Sequence, residues 1–216
     1  MTEQESLAGT APGIMVNYLR DRGSERKLRL FACACCHLVW DLLTDWRSRH
    51  AVESAERFAD NTVGVEDLFT ARAPAEQAIW TLTNAAARNA ARAAVDTTRC
   101  AGLLSGTAWY AAMNASNVLT RDPDLQRTHV ALLHCIFGNP FRPSPVLAPA
   151  VLKWEQGGIH RIAQASYDER RFEDLPILAD ALEDSGCDNA DVLSHCRGPG
   201  PHARGCWVVD LILEKQ

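Results

Sequence analysis

Glu25-Arg-Lys-Leu-Arg-Leu-Phe-Ala-Cys-Ala-Cys-Cys-His-Leu-Val-Trp-Asp-Leu-Leu43 is the stretch whose reading decides the fold. Ser24 precedes it, and a serine hydroxyl there can accept from one of the backbone N–H groups that a helix start leaves without a partner. The spacing predicts a helix from near Glu25 to Leu43. From Leu28 onward it is apolar on nearly every side, which suits a helix at the centre of a bundle. Phe31, Cys35, Leu38, Val39 and Leu42 are the expected core residues. A membrane span needs roughly 20 mostly apolar residues. This run is shorter, and Arg29, His37 and Asp41 interrupt it.

Working outward, the neighbouring segments also carry helical signals. Ile14 to Arg22 is a short amphipathic piece. Thr44 or Asp45 is placed to open a helix with Ala51, Val52, Ala55 and Phe58 facing inward. Another helix is expected after Gly64, carrying Leu68, Ala71 and Ala75. Ala85 to Val95 is alanine-rich, with high helix propensity and side chains small enough for close helix approach. Asp122-Pro123 opens a further helix through Leu125, Val130, Leu133 and Phe137.

Gly138 to Pro149 holds four prolines, which remove backbone donors and fix φ, so an extended connector is expected. Its Phe141, Val146 and Leu147 could dock on a core. Beyond it, Gly157-Gly158 marks a turn, and Ile159, Ile162, Ala163 and Ser166 or Tyr167 follow helical spacing. Asp174-Leu175-Pro176 starts a helix with Leu178, Ala181 and Leu182, which stops at Gly186. Asp188 with Asp191 resembles a cap before Val192 and Leu193. Arg197 to Pro201 forms a stiff turn, and Trp207, Val208, Leu211 and Ile212 form one face of a final helix. The expected fold is therefore all-α: an irregular multi-helix bundle over 1–137, a proline-rich connector over 138–149, and a small C-terminal helical subdomain over 150–216.

Composition bounds the function classes. The 216 residues are 47% hydrophobic and 23% charged, with a net charge of -5 and a sequence pI near 5.8. These values suit a packed globular core. An acidic average argues against nucleic acid as a partner, because backbone recognition calls for a basic face. The acidic start, Met1 to Ser6, lacks the basic and apolar regions of a secretory signal, so a cytoplasmic location and no membrane partner are expected. Eight cysteines are present. In a reducing compartment they are expected as free thiols, most of them serving as small core residues.

Two constellations could carry chemistry. Cys33, His37 and Asp41 recur every four residues and share one helix face, the order of a thiol, imidazole and carboxylate relay. Side chains on one helix lean the same way and do not converge on a substrate. The alternative is the wetter edge of a buried helix. Cys33 and Cys36 also form C-x-x-C, without the preceding strand of a thioredoxin-like motif.

The tail is the richer case: His195, Cys196, His202 and Cys206 lie around the stiff turn. Thiolate and imidazole are the natural ligand set for tetrahedral zinc, the expected cofactor. Cys187 is a substitute ligand. The spacing is not that of a standard zinc finger, and adjacent His195 and Cys196 point in different directions on a helix. A helix-turn-helix corner of buried thiols and capping histidines is the competing reading. A third is an anion site at Arg197, His202 and Arg204. No Walker motif, G-x-G-x-x-G, H-E-x-x-H or G-x-S-x-G occurs.

Arg26 to Cys36, Ile136 to Pro143, Leu175 to Leu182 and His195 to Trp207 together resemble a large paralogous family of uncharacterised planctomycete-type bacterial proteins. The resemblance covers both ends and the connector. In the middle, Ala85 to Ala94 stands for a variable alanine- and tryptophan-rich stretch, and His37 occupies a position where the family carries a basic residue. The resemblance implies no activity. It does imply that His195, Cys196, His202 and Cys206 belong to a shared motif. The reading at this point is a helical binding or interaction module for a protein partner, with a metal at the C-terminal corner. Its alternative is a metal- or thiol-dependent enzyme using the same corner.

Overall fold

The structure, a computed structural model, describes residues 11–99, 107–118 and 123–215. Met1 to Ser6, Cys100 and the cap at Asp122 lie outside the described residues. Twelve α-helices occur among the described residues, and no strand. They are α1 (Pro12–Tyr18), α2 (Glu25–Leu38), α3 (Trp46–Ala59), α4 (Val65–Thr81), α5 (Ala85–Thr97), α6 (Thr107–Val118), α7 (Pro123–Phe137), α8 (Pro149–Leu152), α9 (Gly158–Asp168), α10 (Leu175–Asp184), α11 (Ala190–Arg197) and α12 (Trp207–Ile212). The chain forms two compact units, Met1–Leu133 and His134–Gln216. The division falls inside α7, a turn before the expected connector.

In the first unit α2 packs against α3, α5 and α6. The Ser24 hydroxyl accepts from the Lys27 N–H at 3.2 Å, as its position suggested. Residues Leu28 to Cys36 are all buried, Phe31 and Cys35 completely. The helix ends at Leu38, however, and tightens into a 3-10 turn over Trp40–Leu42. Val39 leaves helical geometry at φ -121, so Leu38, Val39 and Leu42 are half-buried, and Leu43 is the buried residue beyond the turn.

The Asp45 carboxylate accepts from the Arg47 N–H and opens α3, whose Ala51, Val52 and Ala55 are fully buried. The Cys33, His37 and Asp41 stripe does not assemble a relay. His37 pairs with Glu56 of α3 at 3.0 Å, the Cys33 thiol donates to the Val52 carbonyl at 3.8 Å, and Asp41 is exposed. Helix α6 is an element that the sequence pattern did not predict. Its Ala108, Ala111, Ala112 and Ala115 are wholly buried at i, i+3, i+4 and i+7, against α2, α5 and α1.

The second unit begins with the end of α7. The connector belongs to it: Leu147 is buried in its core, Phe141 is half-buried and Val146 is 92% exposed. That core is built from Cys135, Leu147, α9, α10, α11 and α12, with Tyr167, Leu178 and Val209 among its buried members. Asn189, and not Asp188, caps α11, its side chain accepting from the Val192 N–H at 3.1 Å. No helix among the described residues is long and apolar enough to cross a membrane.

Candidate metal centre

The centre lies within the second unit and draws on four places in the chain. Cys135 sits on the last turn of α7. His195 sits on the last turn of α11. His202 lies in the turn after α11, and Cys206 is the residue before α12. The Sγ atoms of Cys135 and Cys206 and one ring nitrogen each of His195 and His202 all lie within 4.8 Å of one another.

Two glycines make this approach possible. Gly138 turns the chain after α7 at φ +63, and a Cβ there would stand 3.3 Å from the Trp207 ring. Gly200 shapes the turn at φ +82, where a Cβ would lie 3.1 Å from the His202 backbone nitrogen. An L side chain is strained in that conformation.

The pairings within the cluster are specific. His195 Nε2 lies 3.2 Å from Cys206 Sγ, and His202 Nδ1 lies 3.7 Å from Cys135 Sγ. For tetrahedral zinc, bond lengths near ~2.3 Å to sulfur and ~2.0 Å to nitrogen put sulfur and nitrogen ligands roughly 3.6 Å apart. Both observed pairs sit close to that separation. His202 Nε2 reaches the Gly198 carbonyl at 3.3 Å. With the proton on Nε2 donating to that carbonyl, Nδ1 is left as the ligand atom, the outer-shell arrangement that orients metal-binding imidazoles. The two imidazole rings stand edge to face at 4.9 Å, and His195 also packs against Trp207 at 5.4 Å.

The electrostatics favour a thiolate at Cys206. Burial alone would push this thiol up, but hydrogen bonds from Cys135, His195 and His202 outweigh it and hold the thiol well below its ordinary range. The hydrogen bond to Cys206, together with burial, pushes the Cys135 thiol well up. Burial pulls His202 down, yet its hydrogen bond to Cys206 leaves it raised. Cys135, His202 and Cys206 thus compete for protons around one centre. Metal ligands must be deprotonated, so a cation can take the place of those protons.

Of the four residues singled out in the tail, the structure brings His195, His202 and Cys206 together and leaves Cys196 outside. Neighbouring residues on a helix are about 100° apart. With His195 turned to the centre, Cys196 points into the core, where it is fully buried. There burial pushes its thiol well up, with Cys206 and Cys187 adding to the effect. The substitute, Cys187, is likewise a core residue and not a member of the group. The fourth member is Cys135, 67 residues before His202. The signal that could have found it is the Ile136 to Pro143 string, which the resemblance grouped with the tail and which directly follows Cys135.

The three residues of the anion reading each have partners within the chain. Arg197 is held by Asp180 at 2.9 Å and Glu183 at 2.5 Å. Arg204 donates to the carbonyls of Tyr167 and Asp168 at 3.3 and 3.1 Å, and His202 belongs to the centre.

The fold and the centre together define an all-α protein with a Cys2His2 cluster that could hold a metal ion. Comparison with family models, with curated proteins and with solved structures finds no match.

Proposed function

We propose that the chain is a helical interaction module whose C-terminal unit is locked by zinc bound to Cys135, His195, His202 and Cys206. The observation that carries this reading is the convergence of two thiols and two imidazoles within 4.8 Å, from places far apart in the chain. Soft sulfur and borderline nitrogen donors in equal number suit zinc. Four protein ligands complete a tetrahedron and leave no position for a water nucleophile, which supports a structural role over a hydrolytic one. The ion would tie the end of α7 to the turn between α11 and α12, and so add to the stability of a small core.

The interaction half of the reading is supported by α4. That helix buries Leu68, Ala71, Ala75 and Ala78 and leaves Val65, Phe69 and Trp80 exposed, Trp80 at 85%. Trp80 and Phe69 lie on the same side of the helix, with the Arg72–Glu76 ion pair between them, a mixed aromatic and charged surface suited to a protein partner. Elemental analysis of protein purified without added metal or chelator tests the zinc reading. About one zinc per chain is expected, lost in Cys206→Ser. A metal-free chain of unchanged stability that also fails to take up added zinc reduces the cluster to packing.

A further inference from the structure

The centre contains two cysteines, and they are the pair whose sulfur atoms lie within reach of each other and of both imidazoles. Cys206 is fully buried and Cys135 is 2% exposed, while His195 and His202 are half-buried. The imidazoles are therefore the more exposed members of the group. Cys187 and Cys196, the other cysteines of this unit, are packed in the core outside the group. Ligation by a metal keeps a cysteine as thiolate, the form that oxidants attack.

We infer that this centre is a peroxide-responsive switch: hydrogen peroxide joins Cys135 and Cys206 in a disulfide and expels the metal. The inference rests on the zinc reading above. In the first step one thiolate attacks a peroxide oxygen. The O–O bond breaks, hydroxide leaves and a sulfenic acid forms. In the second step the other thiolate attacks that sulfur. The S–S bond forms, the S–O bond breaks and a second hydroxide leaves. Two electrons pass from the two sulfurs to peroxide, and zinc departs as the divalent cation with its oxidation state unchanged. A dithiol reductant returns both thiols and restores the site.

The structural outcome is asymmetric. The new bond still ties the end of α7 to the start of α12, so those helices remain linked. His195 and His202 lose the ion they shared, and with it the constraint on the turn from Gly198 to Gly205. Oxidation therefore loosens one turn without unfolding the unit.

The test uses the full chain as purified with zinc. Metal content is measured first; a chain that neither carries nor takes up zinc sinks the metal reading, and the switch with it. Stepwise hydrogen peroxide is then added with a chromogenic zinc indicator present. The expected result is release of about one zinc for every two thiols lost, a Cys135–Cys206 cross-linked peptide by mass spectrometry, and rebinding of zinc after dithiothreitol. Zinc that stays bound while other thiols are consumed overturns the switch and leaves the zinc site standing. Release with sulfinic acid, or with Cys196 in the cross-link, also overturns it. Cys135→His keeps four ligands and one thiol: it is expected to hold zinc and to resist peroxide. Should that variant fail to fold, the peptide map of the unaltered chain still decides.

Discussion

Cys135 and Cys196 form a matched pair that isolates what the metal contributes. Both are buried thiols of the same unit, at 2% and 0% exposure, and both pack in the same core. Replacing either by alanine removes one sulfur from a packed interior, so the packing cost is similar, about 1 kcal/mol. Only Cys135 has its sulfur in the ligand group. If zinc is free at about a thousand times its Kd, binding adds about 4 kcal/mol to stability. Loss of even an outer-shell partner weakens such sites up to about a hundredfold. A hundredfold weaker site under the same free zinc retains about 1.4 kcal/mol, so Cys135→Ala loses about 2.7 kcal/mol more than Cys196→Ala. The assay is urea unfolding of both variants at fixed free zinc and again with a chelator in excess. The gap should appear with zinc and close without it. Equal losses under both conditions would refute the assignment of Cys135 as a ligand, and a larger loss for Cys196→Ala would return that residue to the ligand set.

Further outcomes follow from the same packing. His129 is fully buried, neither ring nitrogen has a hydrogen-bond partner among the described residues, and burial pushes it down to about 4. The unfolded chain takes up this proton near pH 6.5 and the fold only near about 4, so stability falls as pH drops through that window, by about 3 kcal/mol. His129→Leu should remove that part of the slope in denaturation measured from pH 7 to 4, and an unchanged slope counts against it. Phe31→Ala should cost about 3–5 kcal/mol by chemical denaturation, because the ring is wholly buried. Trp80→Ala, on an 85% exposed side chain, should stay within about 0.5 kcal/mol while weakening any partner binding through α4. Gly200→Ala should lower zinc affinity in a competition titration, since a Cβ would press on the His202 backbone at 3.1 Å. A thiol titration of denatured, unreduced protein should count close to all eight cysteines; seven of them are described and none is in a disulfide.

The helical plan was legible wherever large apolar residues marked a face or a polar side chain marked a start. Ser24 and Asp45 are caps as read, and Leu178 and Leu182 are buried as their spacing required. The helix α6 was not legible. Its buried face is alanine, whose hydropathy barely differs from its surroundings, so the signal was a spacing of small residues and not of large ones. The end of α2 was misplaced because apolar residues continue past Leu38, whereas the backbone leaves helical geometry at Val39. Three members of the metal centre were visible because one short turn carries or flanks them. Cys135 was hidden because convergence across a connector depends on how α7 packs, which no local pattern encodes. The order His195-Cys196 held half of the answer, since a helix can turn only one of two neighbours toward a given point.

The alanine faces of the first unit invert the usual pattern of mutational risk. Ala51, Ala55, Ala90, Ala94, Ala108, Ala111, Ala112 and Ala115 are all completely buried, so small side chains fill these helix contacts. Such contacts offer little volume to remove, and shrinking them to glycine costs chiefly about 1 kcal/mol of helix propensity. They lose much when one grows, since each added methylene must push two helices apart, at about 1–3 kcal/mol for an overpacked site. A saturation scan of this unit should therefore penalise valine and leucine at these positions as heavily as polar residues. Hydrophobicity would be a poor guide to tolerance there, and side-chain volume a good one. The evolutionary corollary is a volume ceiling: these seams resist residues larger than alanine, so divergence among related chains should gather on the outer faces of the same helices.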